Sequence, residues 1–407
     1  MTDVSTLLSA RAVRERAHQM LSLGLADKLP HFRIDLGKLD AIADLVLDVT
    51  GKAYPNGEVP FHSRWRHFVV GGADRWAALA DKVSWPDAAA RARAEFDLAI
   101  TSVLLDAGAG AAWRYQHAAT GARIGRSEGL ALASLDMFAS GAFSADTRDP
   151  LRADAAKLKQ LTVADLERGF QVGPDNPLVG LEGRVALLRQ LGEVTAAVPG
   201  VFATKDGPRP GGLLDQLAAA AASGHIEAAA ILQQVLLQLG PIWPSRLTLG
   251  GIALGDCWRH PSLVTDDATT GLVPLHKLSQ WLSYSLIEPL QRAGLVVENI
   301  DGLTGLAEYR NGGLFVDGGV LVLRDPADAG RAHTVDSPLV VEWRALTVAL
   351  LDRLAALIRE RTGKTAEQLP LARILEGGSW AAGRKLAFAR RPDGSPPLTI
   401  ISDGTVF

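Results

Sequence analysis

The stretch SPLVVEWRALTVALLDRLAAL, Ser337–Leu357, carries its own start signal and a sustained apolar face. Ser337 offers a side-chain acceptor to first-turn N–H groups, and Pro338 sits where its missing N–H would be unpaired in any case. Leu339, Trp343, Leu346, Leu350, Leu354 and Leu357 recur at three- and four-residue spacing and so share one side of a long helix. Glu342 lies in its first turn, flanking that side. Alanine- and leucine-rich stretches with the same period fill much of the chain, and the expected class is mainly α, a multi-helix globular fold.

Outward from this helix, Ser84-Trp85-Pro86 predicts the start of another that runs through Leu105, and Leu178, Leu181, Val185 and Leu188 mark a third. Ile231, Leu232, Val235, Leu236 and Leu239 mark one that ends at Gly240-Pro241. A helix opening at Pro274 would place Leu275, Leu278, Leu282 and Leu286 on a core stripe, with Lys277, Trp281, Tyr284 and Glu288 on a different one. Strand signals are few. Leu314–Val316 and Val320–Leu323 flank the turn Asp317-Gly318-Gly319, and Leu398–Ile401 precedes Asp403-Gly404, so a small hairpin or sheet is expected near 314–323 and 398–406. The chain reads as one unit over 1–407. Pro199–Gly212 is its candidate linker, dividing an N-terminal helical region, residues 1–200, from a C-terminal helical region, residues 211–407, which carries the acid-rich segment Asp301–Asp317.

Of 407 residues, 47% are hydrophobic and 21% charged, enough apolar material for a large core without covalent staples. The net charge of −3 lacks the basic excess that phosphate neutralisation demands, so no nucleic-acid partner is expected. Cys257 is the single cysteine, and no disulfide framework is available. Met1–Met20 has charges and no apolar core of a signal peptide, and the longest uncharged run, Ala228–Ser245, is broken by glutamines, Gly240, Pro241 and Pro244. A cytoplasmic protein with no membrane partner is the expectation.

Three constellations bear chemistry. Asp301–Asp317 concentrates Asp301, Glu308 and Asp317 with Arg310 in a glycine-rich, otherwise apolar stretch, where burial raises one carboxyl pKa and an arginine lowers another; solvated loop charges around a glycine turn are the plain alternative. Phe61–Phe68 interleaves His62, Arg64, Arg66 and His67 with Trp65, which suits a clamp for an anionic ligand or equally an amphipathic segment anchored by its rings. Gly255–His260 holds Cys257 near Arg259 and His260, the elements of an activated thiol, although free cysteines are more often inert and buried. No phosphate-binding glycine loop, dinucleotide fingerprint or metalloprotease helix motif is present, so cofactor-free chemistry with no bound metal is expected.

Six runs together carry a resemblance: Pro60–Phe68, Asn176–Arg184, Gly255–His260, Pro274–Leu282, Gly305–Gly313 and Ile400–Phe407. They are similar to the uracil-catabolism protein family, which includes the fourth protein of the fungal uracil catabolic pathway and the fission-yeast uracil-regulable protein. A weaker likeness, in Glu308-Tyr309-Arg310 and Glu342–Ala345, is to queuosine-salvage nucleosidases and implies a DNA-glycosylase-like helical core. The resemblance implies a small nucleoside- or nucleotide-derived substrate and a step that releases urea from ribosylurea or its 5-phosphate. An amidohydrolase acting on an earlier ring-opened intermediate through Cys257 or a metal, and a non-enzymatic nucleotide-binding scaffold, are the alternatives. For N-glycosidic cleavage Glu308 is the first catalytic candidate, with Asp301, Asp317 and Glu342 as partners and Arg310 keeping one of them ionised. His62, Arg64, Arg66 and His67 would take the phosphate end, Trp65 and Trp281 would wall the sugar, and Lys277 would serve either end.

Overall fold

The computed structural model describes residues 4–106, 108–110, 112–243 and 247–401, so the end of the expected 398–406 sheet region and residues 402–407 of the Ile400–Phe407 run lie outside the described residues. The fold is mainly α, with its strands only two or three residues long and joined in pairs. Two compact units are formed: Met1–His62 with Ser245–Gln280 and Asn299–Val406, and Ser63–Pro244 with Trp281–Glu298. Each unit thus gathers separated stretches of chain, and Pro199–Gly212 lies within the second.

The first unit is built around Pro338–Thr362. Ser337 accepts from the Val340 N–H, and Gly363 closes the helix at φ +65°, where a side chain would be strained. From Leu339 to Leu351 every residue is buried, so this half is core on all sides; Leu357, further on, is only half-buried. Ala10–Leu25 packs along it, and Arg14 there pairs with Asp352 at 2.9 Å and donates to the Leu303 carbonyl at 2.8 Å. The segment Leu314–Val316 is not a strand: it lies inside the helix Tyr309–Asp317, because Glu308 caps its first turn. Leu321–Leu323 pairs instead with Phe32–Ile34, antiparallel, while Thr399–Ile401 runs parallel to Ala332–Thr334. Pro274 likewise ends a strand, Leu272–Pro274, paired with Cys257–Arg259, and the following helix, Lys277–Arg292, starts three residues later.

Tyr309–Asp317 packs against Trp380–Arg390 so closely that a Cβ on Gly383 would stand 2.2 Å from the Arg310 carbonyl oxygen. Backbone cannot yield as a flexible side chain can. Gly383→Ala is expected to cost about 1–3 kcal/mol, read as a lowered denaturation midpoint at unchanged slope.

In the second unit, Ala88–Leu104 is capped by Asp87 rather than Ser84 and is buried along most of its length. It contributes the buried Asp97, which accepts from Arg209 and from the Gly211 and Ala153 N–H groups. Leu181–Ala197 and Arg126–Ala139 complete its core, and Ala228–Gln234 continues through a wide turn to Gly240 as the apolar spacing requires. Among the described residues no helix is long and apolar enough to cross a membrane.

Candidate functional site

Glu308 precedes the first helical residue, Tyr309, in extended backbone, so its carboxylate can fold back over the helix start. Oε2 accepts from the Arg310 N–H at 2.6 Å and Oε1 from the Asn311 N–H at 2.5 Å. The residue is only 8% exposed. Burial pushes its carboxyl above the usual value, while the capping N–H groups, Lys277 and His62 pull the other way. A carboxyl so placed is stocked with a proton nearer neutrality than a solvated one, which suits it to deliver that proton to a leaving group.

The surroundings are fixed by a clamp that the sequence did not reveal. Arg344, fully buried on the central helix, meets Asp256 with both terminal nitrogens at 2.8 Å, and its Nε donates to the Ala307 carbonyl at 3.1 Å. Asp256 also accepts from the Lys277 N–H at 2.9 Å and Trp258 Nε1 at 2.6 Å. Burial alone would raise the Asp256 carboxyl, but Arg344 and these hydrogen bonds outweigh it and hold it far below the ordinary range. One ion pair therefore positions both the residue before Glu308 and the backbone of Lys277. Between Asp256 and Lys277, His276 is held at φ +46°, a conformation that costs a non-glycine residue about 1–3 kcal/mol and needs such support.

The third part of the site stands beside Glu308's helix. His62 Nδ1 lies 2.8 Å from Glu376 Oε2, and the Tyr54 hydroxyl donates to Glu376 Oε1 at 3.0 Å. Glu376 sits in a π turn, Leu375–Ser379, whose Ser379 donates to Asn311 Oδ1 at 2.8 Å. The fully buried Asn311 Nδ2, Gln280 Nε2 and Trp343 Nε1 have no hydrogen-bond partner among the described residues. All three are donors, so a ligand carrying acceptor oxygens would relieve their desolvation.

Glu308, Lys277 and His62 are thus brought together, as far as electrostatic reach. The other expected carboxylates are engaged elsewhere. Asp301 pairs with Arg359 at 2.5 Å and accepts from the Leu371 N–H, and Asp317 makes a two-pronged pair with Arg391. Glu342, fully buried, accepts from the Phe32 N–H at 2.8 Å and faces His260 at 3.3 Å, so it anchors the first strand. Arg310 does not hold a carboxylate ionised: it donates to the Gly394 carbonyl and lies 5.0 Å over the Tyr309 ring.

In the second unit Arg64 lies 5.5 Å over the Trp281 ring, and His67 packs tilted against the same ring, centroids 5.6 Å apart. Arg64 is fully buried and donates to Ser102, the Ser127 carbonyl and Asp106, a structural rather than a phosphate-facing guanidinium. Trp65 is buried with Nε1 on the Ser285 carbonyl, and Arg66 pairs with Glu288 at 2.7 Å.

Cys257 lies in an apolar cluster with Leu7, Ala12, Leu254 and Leu272, and burial with the nearby Asp256 pushes its thiol up to about 12. This is no activated nucleophile. Thiol reagents are expected to label it only on unfolding, and Cys257→Ala to leave activity within about twofold while costing about 1 kcal/mol.

Asp256, Glu376 and Tyr54 were missed by reading the sequence. Glu376 alone offered a signal, a single carboxylate beside the pair Gly377-Gly378. Comparison with known proteins gives a full-length match. The chain is 40% identical over 419 residues to Protein urg3 of Schizosaccharomyces pombe, covering 99% of each, and 38% identical over 409 residues to Uracil catabolism protein 4 of Lachancea kluyveri, covering 93% of this chain and 92% of that one. Residues 6–407 match the family described as Protein of unknown function (DUF1688), and with these relatives the chain belongs to that family.

Proposed function

We propose that this protein acts in uracil catabolism as a hydrolase that cleaves the N-glycosidic bond of ribosylurea, or of its 5-phosphate, to give urea and the free sugar. The pathway follows the name of the relative Uracil catabolism protein 4. The reaction class rests on one observation, the buried Glu308 carboxyl, raised by desolvation and within electrostatic reach of Lys277 and His62. Departure of urea from the anomeric carbon needs a proton on the leaving group and a means of bearing positive charge on the sugar. Glu308 supplies the first as an acid and, once ionised, the second as a carboxylate. Ribosylurea also offers what the buried donors of Asn311 and Gln280 lack, a carbonyl and hydroxyl oxygens.

The test is release of urea from purified ribosylurea and its 5-phosphate by the full chain, beside Glu308→Gln. Urea formed by the wild type and nearly none by the variant is the expected result; no urea from either substrate, or equal rates from both proteins, would end this reading.

A further inference from the structure

His62 has a companion to which the proposed reaction assigns no role. Main chain and ring are each held: the backbone N–H donates to the Ala372 carbonyl at 3.0 Å, and the ring Nδ1 meets Glu376. Side-chain exposures of 11% for His62 and 15% for Glu376 keep this pair largely out of water. Glu376 is itself fixed. Tyr54 donates to its second oxygen, and the π turn that carries it lies so close to the helix Leu39–Ala53 that a Cβ on Gly378 would stand 2.5 Å from the Val46 carbonyl oxygen. Wide turns of this kind recur where a side chain must be re-aimed. A carboxylate accepting at Nδ1 requires the hydrogen there, which makes Nε2 the basic nitrogen of the neutral ring.

We propose that His62, oriented by Glu376 and Tyr54, is the general base of this site and takes the proton of the water that attacks the sugar. The proposal rests on the N-glycosidase reading. In the step, the water oxygen bonds to the anomeric carbon as the carbon–nitrogen bond breaks, with its electron pair leaving on the urea nitrogen. That nitrogen takes the Glu308 proton, and the water proton passes to Nε2. Ribosylurea and water become ribose and urea, and solvent returns the proton from His62 to Glu308. The charged and titratable groups that bear on this imidazole include Glu376, which Tyr54 holds, and Glu308, on which Lys277 also acts. Glu376 and Tyr54 are positioning residues.

Two measurements test this on the full chain. Nitrogen-15 spectra of the histidine rings, which need no substrate, are expected to show a hydrogen on Nδ1 of His62, and Glu376→Gln is expected to shift it toward the Nε2–H form. In urea release, His62→Gln and Glu376→Gln should each lower kcat by about 10²–10⁴ with KM little changed, and the acid limb of the pH profile should vanish in His62→Gln. Tyr54→Phe, nearly isosteric, guards against misfolding and should keep the profile with a smaller loss. An Nε2–H ring in the wild type, or a His62→Gln profile that keeps its acid limb, would overturn the proposal. A wild type with the Nδ1–H ring that releases no urea at any pH would overturn the substrate and leave the Glu376–His62 pair supported.

Discussion

Glu308→Gln is expected to lower urea release by about 10²–10⁴ and to leave the protein folded. The kinetic loss follows from chemistry: an amide has no proton to give at the leaving nitrogen and no charge to set against the sugar cation. The structural loss is smaller and separable. Glu308 uses both oxygens to cap Tyr309–Asp317, and glutamine keeps one acceptor while turning an NH₂ toward a backbone N–H. One cap bond of this kind is worth about 1 kcal/mol, visible as a modest fall in Tm. The pH dependence adds an independent check. Burial raises the folded-state carboxyl above its unfolded value, so its stabilising contribution is complete below the ordinary carboxylate range and is lost as pH rises through the raised value. Denaturation midpoints at acidic and neutral pH should therefore show wild type losing ground to Glu308→Gln as pH increases. Urea release within twofold of wild type would remove Glu308 from the chemistry, whatever the melts show.

The helices were legible where local signals agreed. Ser337, Pro338 and the leucine spacing that follows announced the central helix, and Gly363 ends it in the left-handed conformation that glycine favours. Leu314–Val316 misled because an aromatic and a branched residue beside two turn glycines suggest a hairpin. The deciding fact was Glu308 as helix cap, a place more often taken by Ser, Thr, Asp or Asn. Gly312 reads as a breaker but is required, since a Cβ there would stand 2.7 Å from the Trp343 ring. The same rule separates what could be seen of the site. Glu308 was legible only as one of three carboxylates in a glycine-rich, otherwise apolar stretch, a property of neighbours in sequence. Its partners are long-range: Asp256 and Arg344 are 88 positions apart, and His62 and Glu376 are 314 apart. No spacing announces pairs that only the tertiary fold closes. Asp301, Asp317 and Glu342 looked equivalent to Glu308 for the same reason, until Arg359, Arg391 and the Phe32 N–H proved to hold them.

Arg344→Met should produce the largest stability loss, about 3–5 kcal/mol in chemical denaturation, because it strands the Asp256 carboxylate in a largely buried place. Two hydrogen bonds, from the Lys277 N–H and Trp258, would remain to that charge, and the Ala307 carbonyl would lose its donor. Folding linkage has the opposite sign to that of Glu308. The Asp256 carboxyl is depressed in the folded state, so its contribution is present above the unfolded carboxylate value and is lost as pH falls through the folded one. The gap between wild type and Arg344→Met should narrow on acidification. Adding Asp256→Asn to Arg344→Met removes the stranded charge and should recover part of the stability, since replacing a buried pair costs far less than breaking it. Activity should not return with it. The clamp fixes Ala307 beside Glu308 and the amide of Lys277, and a neutral pair cannot hold both in one geometry, so the double variant should melt nearer wild type yet keep a depressed kcat. If kcat recovers in step with stability, the Asp256–Arg344 pair supports the core alone, and the placement of Lys277 against Glu308 must come from some other contact.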